Sequence, residues 1–246
     1  MDISIVLLLI LIVFQIIISL MDARDVKKLI GTDITEKVRI NFYKGAIIWG
    51  WVPVVIIALF VAFTSATWHD MGIRKVLLSD FKWLNIAVLG IAGVVAVLQV
   101  YQAIMYLLSE KYRKEIAAVL EDKMNSGNHY DRVTLCLLTP HTLKEKVYFF
   151  FVSVTAGICE EIHFRGCLMF LLSNVLPNAH IGAIGVIAAL LFGLFHCYQG
   201  FSGVIKTGVV GMIFVLLYLV TDSLVPGILL HFWIDYSNAF LIREER

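Results

Sequence analysis

Charge is scarce in this chain of 246 residues: Asp, Glu, Lys and Arg make up 16%, against about a quarter in soluble domains. With 60% hydrophobic residues and a mean hydropathy of +0.86, that shortage excludes an ordinary soluble globule. The net charge is only +1, so the concentrated basic face that nucleic acid selects is missing, and no nucleic-acid partner is expected. Cysteine is sparse too. Cys136, Cys159, Cys167 and Cys197 form no CxxC pair, and three of them fall in apolar stretches, so they read as small core residues. There is no H-E-x-x-H of the soluble metalloproteases and no G-x-S-x-G elbow of the serine hydrolases. Repeats of period 20 to 50, low-complexity tracts and Pro-rich or Gly/Ser-rich linkers are lacking as well.

What is there is a series of long apolar runs with few charges. Hydrocarbon about 30 Å thick takes roughly 20 apolar residues to cross as a helix, and seven runs approach that length: 3–20, 45–63, 84–108, 147–173, 180–199, 203–220 and 223–242. The expected fold is an all-α, polytopic transmembrane helical bundle of about seven spans. The first run has no basic n-region and no A-x-A-like cleavage site, so it is expected to remain as the first helix. The fourth contains Glu160, Glu161, His163 and Arg165, so it is expected to be tilted or broken.

Lys and Arg alternate in the gaps. There are six between residues 21 and 44, three between 64 and 83, seven between 109 and 146, and none between 174 and 179; Arg243 and Arg246 close the chain. By the positive-inside rule the loops after spans one and three are cytoplasmic, with the N-terminus outside and the C-terminus inside. Segment 109–146 opens with Glu110, Lys111, Tyr112 and Arg113 and sets Ile116, Val119 and Leu120 among charges. It is expected to continue span three as an amphipathic helix lying at the interface.

Three acidic residues lie clearly inside spans: Glu160, Glu161 and Asp235. A charge at the bilayer centre costs roughly 2.5 to 3.5 kcal/mol even on lenient insertion scales, so such groups face a polar interior and are paired or functional. Arg165 follows Glu161 by four residues and Asp235 follows His231 by four, spacings that allow contact on one helix face. Glu160 is rotated about 100° from Glu161, which leaves Arg165 to Glu161 and frees Glu160 to point elsewhere. With His196 at the end of span five, the set could hold a water between Glu160 as general base and the imidazoles, with or without a metal. Cys159 is turned about 100° from Glu160 and faces no mandatory base, which argues against a thiol protease.

These residues fall into three ordered patterns. Glu160, Glu161 and Arg165, followed by Gly166, form EExxxR; Phe192 and His196 form FxxxH; His231 and Asp235 form HxxxD. Over about residues 147–242 the chain resembles the CAAX-processing and bacteriocin-processing (CPBP, or Abi) intramembrane endopeptidases.

The resemblance implies a helical bundle with a water-accessible cavity, the site in the last four spans, and a division into N-terminal helices (1–146) and a catalytic core (147–246). It implies that Glu160 activates water, that His196 positions the water or stabilises the oxyanion, and that His231 and Asp235 complete the polar site. Glu161 and Arg165 would orient the helix. It leaves open a glutamate peptidase or an enzyme using zinc or another divalent ion held by Glu160, His196, His231 and Asp235.

Asp235 stands where prenyl-protein members of eukaryotes tend to have Asn, so the site is more anionic, as in the bacterial branch, and a bacterial plasma membrane is the expected location. His163 is expected to be structural, because an E-x-x-H di-iron site needs a second such pair elsewhere.

The expected partners are the lipid bilayer and a membrane-associated or hydrophobic peptide. Two other classes fit the residues less well. A non-enzymatic scaffold or immunity protein would not need the full set of six, and a proton relay would show interrupted helices in paired repeats.

Overall fold

The computed structural model describes residues 3–126 and 129–237. These are helical, with no strand among them. In chain order they form α1 (Ile3–Lys28), α2 (Glu36–Phe63), α3 (Lys82–Leu108), α4 (Glu110–Ser126), α5 (His129–Leu138), α6 (Leu143–Glu160), a π-helical segment (Glu161–Leu168), α7 (Met169–Val175), α8 (Ile181–Leu194), a 3-10 turn (Cys197–Gln199), α9 (Gly200–Thr221) and α10 (Val225–Ser237).

Five stretches are long and apolar enough to cross a bilayer: α1, α2, α3, the run Leu143–Val175, and Cys197–Thr221. The fifth expected span is present as the shorter apolar helix α8, and the described part of the seventh as the 13-residue helix α10. Residues 238–242 of the seventh, together with Arg243 and Arg246, lie outside the described residues.

The core gathers around the EExxxR segment. Leu7, Leu8 and Leu11 of α1 and Val54, Ile57 and Phe60 of α2 pack with Cys159, Phe164, Cys167, Leu171, Ala188 and Phe192. Helices approach closely where a side chain is missing. A Cβ on Gly157 would stand 3.0 Å from Ile228 O and from Phe232 N, so this glycine sets the contact of α6 with α10. The outward face of α3 is apolar and exposed, as a lipid-facing helix must be.

Both ends of the bundle have their own cover. At one end α5 buries Val133 and Leu137 against Val26, Leu29, Ile30 and Tyr198, and the Tyr43 hydroxyl donates to Leu137 O at 2.7 Å. There too Glu145 closes the N-terminal capping box of α6 and accepts from Arg39 Nε at 2.7 Å, with its side chain fully buried. At the other end the 65–81 segment is tied to α9 and the turn after it by Leu77 N to Thr221 O (2.8 Å), Leu224 N to Gly72 O (2.9 Å) and the pairing of Arg74 with Asp222. The two Lys/Arg-rich gaps, 21–44 and 109–146, thus meet at one end.

Two expectations about the second of these gaps need correction. The chain breaks at Ser109, which leaves helical geometry, so α4 does not simply continue span three. Only α4 behaves as an exposed amphipathic helix. The 130, 133, 134 and 137 positions form a half-buried to buried face at helical spacing, so α5 is packed instead of lying free as a linker. The cysteines also divide: Cys159 and Cys167 are buried as expected, but Cys136 is half-buried and Cys197 is exposed.

Candidate active site

Span four is neither two helices nor a regular one. It runs from Leu143 to Val175, and within it residues 161–168 form a π-helical stretch. The wider i→i+5 turn changes which residues face inward, and all eight residues of the stretch are buried, Arg165 completely. Gly166 is required at this place: a Cβ there would stand 2.7 Å from Met71 O and 3.3 Å from Leu224 Cδ1.

The two adjacent glutamates have different surroundings. Glu161, 1% exposed, accepts from Arg165 Nη1 at 2.9 Å. The same oxygen, Oε1, receives His231 Nδ1 at 3.0 Å. Arg165 is further fixed by its Nη2, which donates to Gly211 O at 3.1 Å, and by Phe192 and Phe214, whose ring centroids lie 4.3 and 5.2 Å from Cζ. Two charge-assisted hydrogen bonds and two aromatic faces make this buried ion pair tolerable in an apolar setting.

Glu160 is 30% exposed, and its Oε2 stands 3.7 Å from His231 Nε2 and 4.0 Å from His196 Nε2. Asp235 Oδ2, on a carboxylate 34% exposed, is 3.7 Å from the same His231 nitrogen. The six residues therefore meet in two layers. Glu161, Arg165 and His231 form a sealed floor, and Glu160, Asp235 and His196 form a rim open to solvent.

The tautomers follow from the partners. His196 Nδ1 is 2.7 Å from Phe192 O, and a carbonyl can only accept, so Nδ1 carries the proton. That bond joins the two ends of the FxxxH pattern. His231 Nδ1 likewise donates to the Glu161 carboxylate. Both rings then turn Nε2 toward Glu160. Separations of 3.7 to 4.0 Å are too long for direct hydrogen bonds but short enough for one water to reach both partners.

The donor types would suit a divalent cation, and each imidazole has its other nitrogen engaged as metal-bound histidines do. The spacing does not suit it: two ligands about 2.0 to 2.1 Å from a tetrahedral zinc stand about 3.3 Å apart. Among the described residues no three His, Cys, Asp or Glu side chains are grouped closely enough to hold a metal ion.

Residues 142–237 match the family model described as Type II CAAX prenyl endopeptidase Rce1-like. This stretch is a CPBP-family domain. Its limits take in α6 through α10, with every residue of the rim and floor inside them. The chain is thus a multi-pass membrane protein carrying a CAAX-type endopeptidase domain. Comparisons with curated proteins and with solved structures find no match.

His163 is 4% exposed and stacks on Phe164, with centroids 4.5 Å apart. Three residues that touch the site carry no motif. Phe214 and Gly211 of α9 contact Arg165, and a Cβ on Gly227 of α10 would come within 3.1 Å of Glu161 Oε2. Aromatic and small residues inside an apolar run have no pattern that would single them out.

Proposed function

We propose that the CPBP-family domain hydrolyses a peptide bond in a lipophilic or membrane-associated peptide, with Glu160 as the base that activates water. The observation that carries this reading is the contrast within the glutamate pair. Glu161 is sealed and satisfied by Arg165 and His231, whereas Glu160 is solvent-accessible and faced by Nε2 of two imidazoles.

A water in this gap gives one proton toward Glu160 and the other toward His196 Nε2, which leaves an oxygen lone pair for the substrate carbonyl. As the C–O bond forms, Glu160 takes the first proton. It then delivers that proton to the leaving nitrogen as the C–N bond breaks, so the carboxylate is regenerated. His196 positions the water, and its bond to Phe192 O fixes the tautomer that this requires. His231 and Asp235 hold the far side of the gap, while Glu161 and Arg165 set the height and direction of the helix that carries Glu160. A divalent ion is not needed for any of these steps.

The cytoplasmic assignment of the Lys/Arg-rich end supports access from the inner leaflet, because His196 and the 3-10 turn lie beside α5 at that end. Purified Glu160→Ala and His196→Ala variants, offered prenylated CAAX peptides and hydrophobic peptide precursors, are expected to insert and fold but not cut. Retained cleavage by both would overturn the reading.

A further inference from the structure

Phe214 belongs to none of the three patterns, yet it touches the site on two sides. Its ring is 1% exposed and lies nearly parallel to the His231 imidazole, with centroids 4.9 Å apart and planes inclined by 21°. The Arg165 guanidinium lies 5.2 Å from the same ring, and Phe192 meets His231 edge-on at 6.2 Å. Three residues earlier, on the same face of α9, Gly211 supplies the carbonyl that accepts from Arg165 Nη2. A Cβ at Gly211 would stand 2.9 Å from Phe192 Cδ1 and 3.3 Å from Arg165 Nη2, so the position admits no side chain without displacing the pair.

A hydrogen bond from Nδ1 to Glu161 fixes one point of the His231 ring but leaves it free to pivot, since the terminal torsion of histidine is broad. A flat aromatic face removes that freedom. From this geometry we infer that Phe214 is a positioning residue. It holds the His231 plane so that Nδ1 stays on Glu161 while Nε2 looks toward Glu160 and Asp235. Helix α9, which contributes no polar side chain to the cluster described above, thereby sets the angle of one of its imidazoles.

This inference rests on the peptidase reading for its kinetic consequence but not for its structural one, and the test separates them. The full chain in detergent carries Phe214→Leu, with Phe149→Leu as control: Phe149 is also buried, but its ring packs on Tyr43 and not on His231 or Arg165. Phe214→Met, with a flexible side chain of similar size, replaces the Leu variant if that one does not fold.

The Phe214 variant is expected to lose tenfold or more in kcat with KM within twofold, and its 15N-labelled His231 is expected to lose the single hydrogen-bonded Nδ1–H signal. The Phe149 variant is expected to keep both. A Phe214 variant whose kcat stays within twofold of the control, or whose His231 keeps a single hydrogen-bonded Nδ1–H signal, would overturn the inference. Should the parent chain cut none of the offered peptides, the peptidase reading fails, and the nitrogen spectrum alone then decides the role of Phe214.

Discussion

The Ser19 hydroxyl donates to the carbonyl oxygen of Phe195 at 2.5 Å, joining α1 to the residue just before His196. The matched domain begins at residue 142, so this bond is a point at which the N-terminal helices bear on the site. Ser19→Ala leaves the buried carbonyl without this donor and is expected to cost about 1 to 2 kcal/mol. A thermal-shift series on the solubilised protein measures the loss, and cleavage by the same variant is expected to fall severalfold as His196 loosens.

Glu160 and Glu161 are expected to separate in opposite directions. Glu160→Gln removes a half-exposed base, so stability should stay within about 0.5 kcal/mol of the parent, while the rate falls by about 10² to 10⁴. Glu161→Gln leaves the fully buried Arg165 short of its counter-charge, and breaking a buried pair costs about 3 to 5 kcal/mol. Unfolding and rate measurements on the two variants side by side check this, and equal destabilisation would refute the division between rim and floor.

Arg165→Lys is not expected to be conservative. A lysine has no fork to serve Glu161 Oε1 and Gly211 O together and no flat cation to lie between Phe192 and Phe214. A loss of about 2 kcal/mol or more follows from one missing hydrogen bond and weakened ring contacts. Unfolding of the full chain reads it directly.

Membrane sidedness can be read from the native thiols. Cys197 is exposed and lies next to His196, whereas Cys159 and Cys167 are buried in the core. A membrane-impermeant maleimide is expected to label Cys197 from the cytoplasmic side, the side of the Lys/Arg-rich gaps, and Cys197→Ser should remove most of the signal. Labelling from the outer side would reverse the topology.

Much of this was readable in the residues because the membrane makes charge expensive. Glu160, Glu161, Arg165 and Asp235 stand out only where neutral residues are the rule, and the i,i+4 pairing of Glu161 with Arg165 survives into the π-helical stretch at 2.9 Å. What could not be read depends on partners distant in sequence. The spacing sets His231 beside Asp235, and the two do stand 3.7 Å apart, but among the described residues the hydrogen bond of His231 goes to Glu161, which the close approach of α6 to α10 at Gly157 makes available. The helix α5 was hidden for a similar reason: its apolar face is short, and its burial depends on Val26 and Tyr198. The wider turn of residues 161–168 has no signature in hydrophobic periodicity.

The fourteen residues of α8 amount to about 21 Å of helix, well short of the roughly 30 Å of hydrocarbon that a bilayer presents. A membrane meeting such a helix relieves the mismatch by thinning around it. The C-terminal end of α8 leads into His196, so the thinned patch lies beside the rim of Glu160, Asp235 and His196. Water then has less oil to cross to reach Glu160.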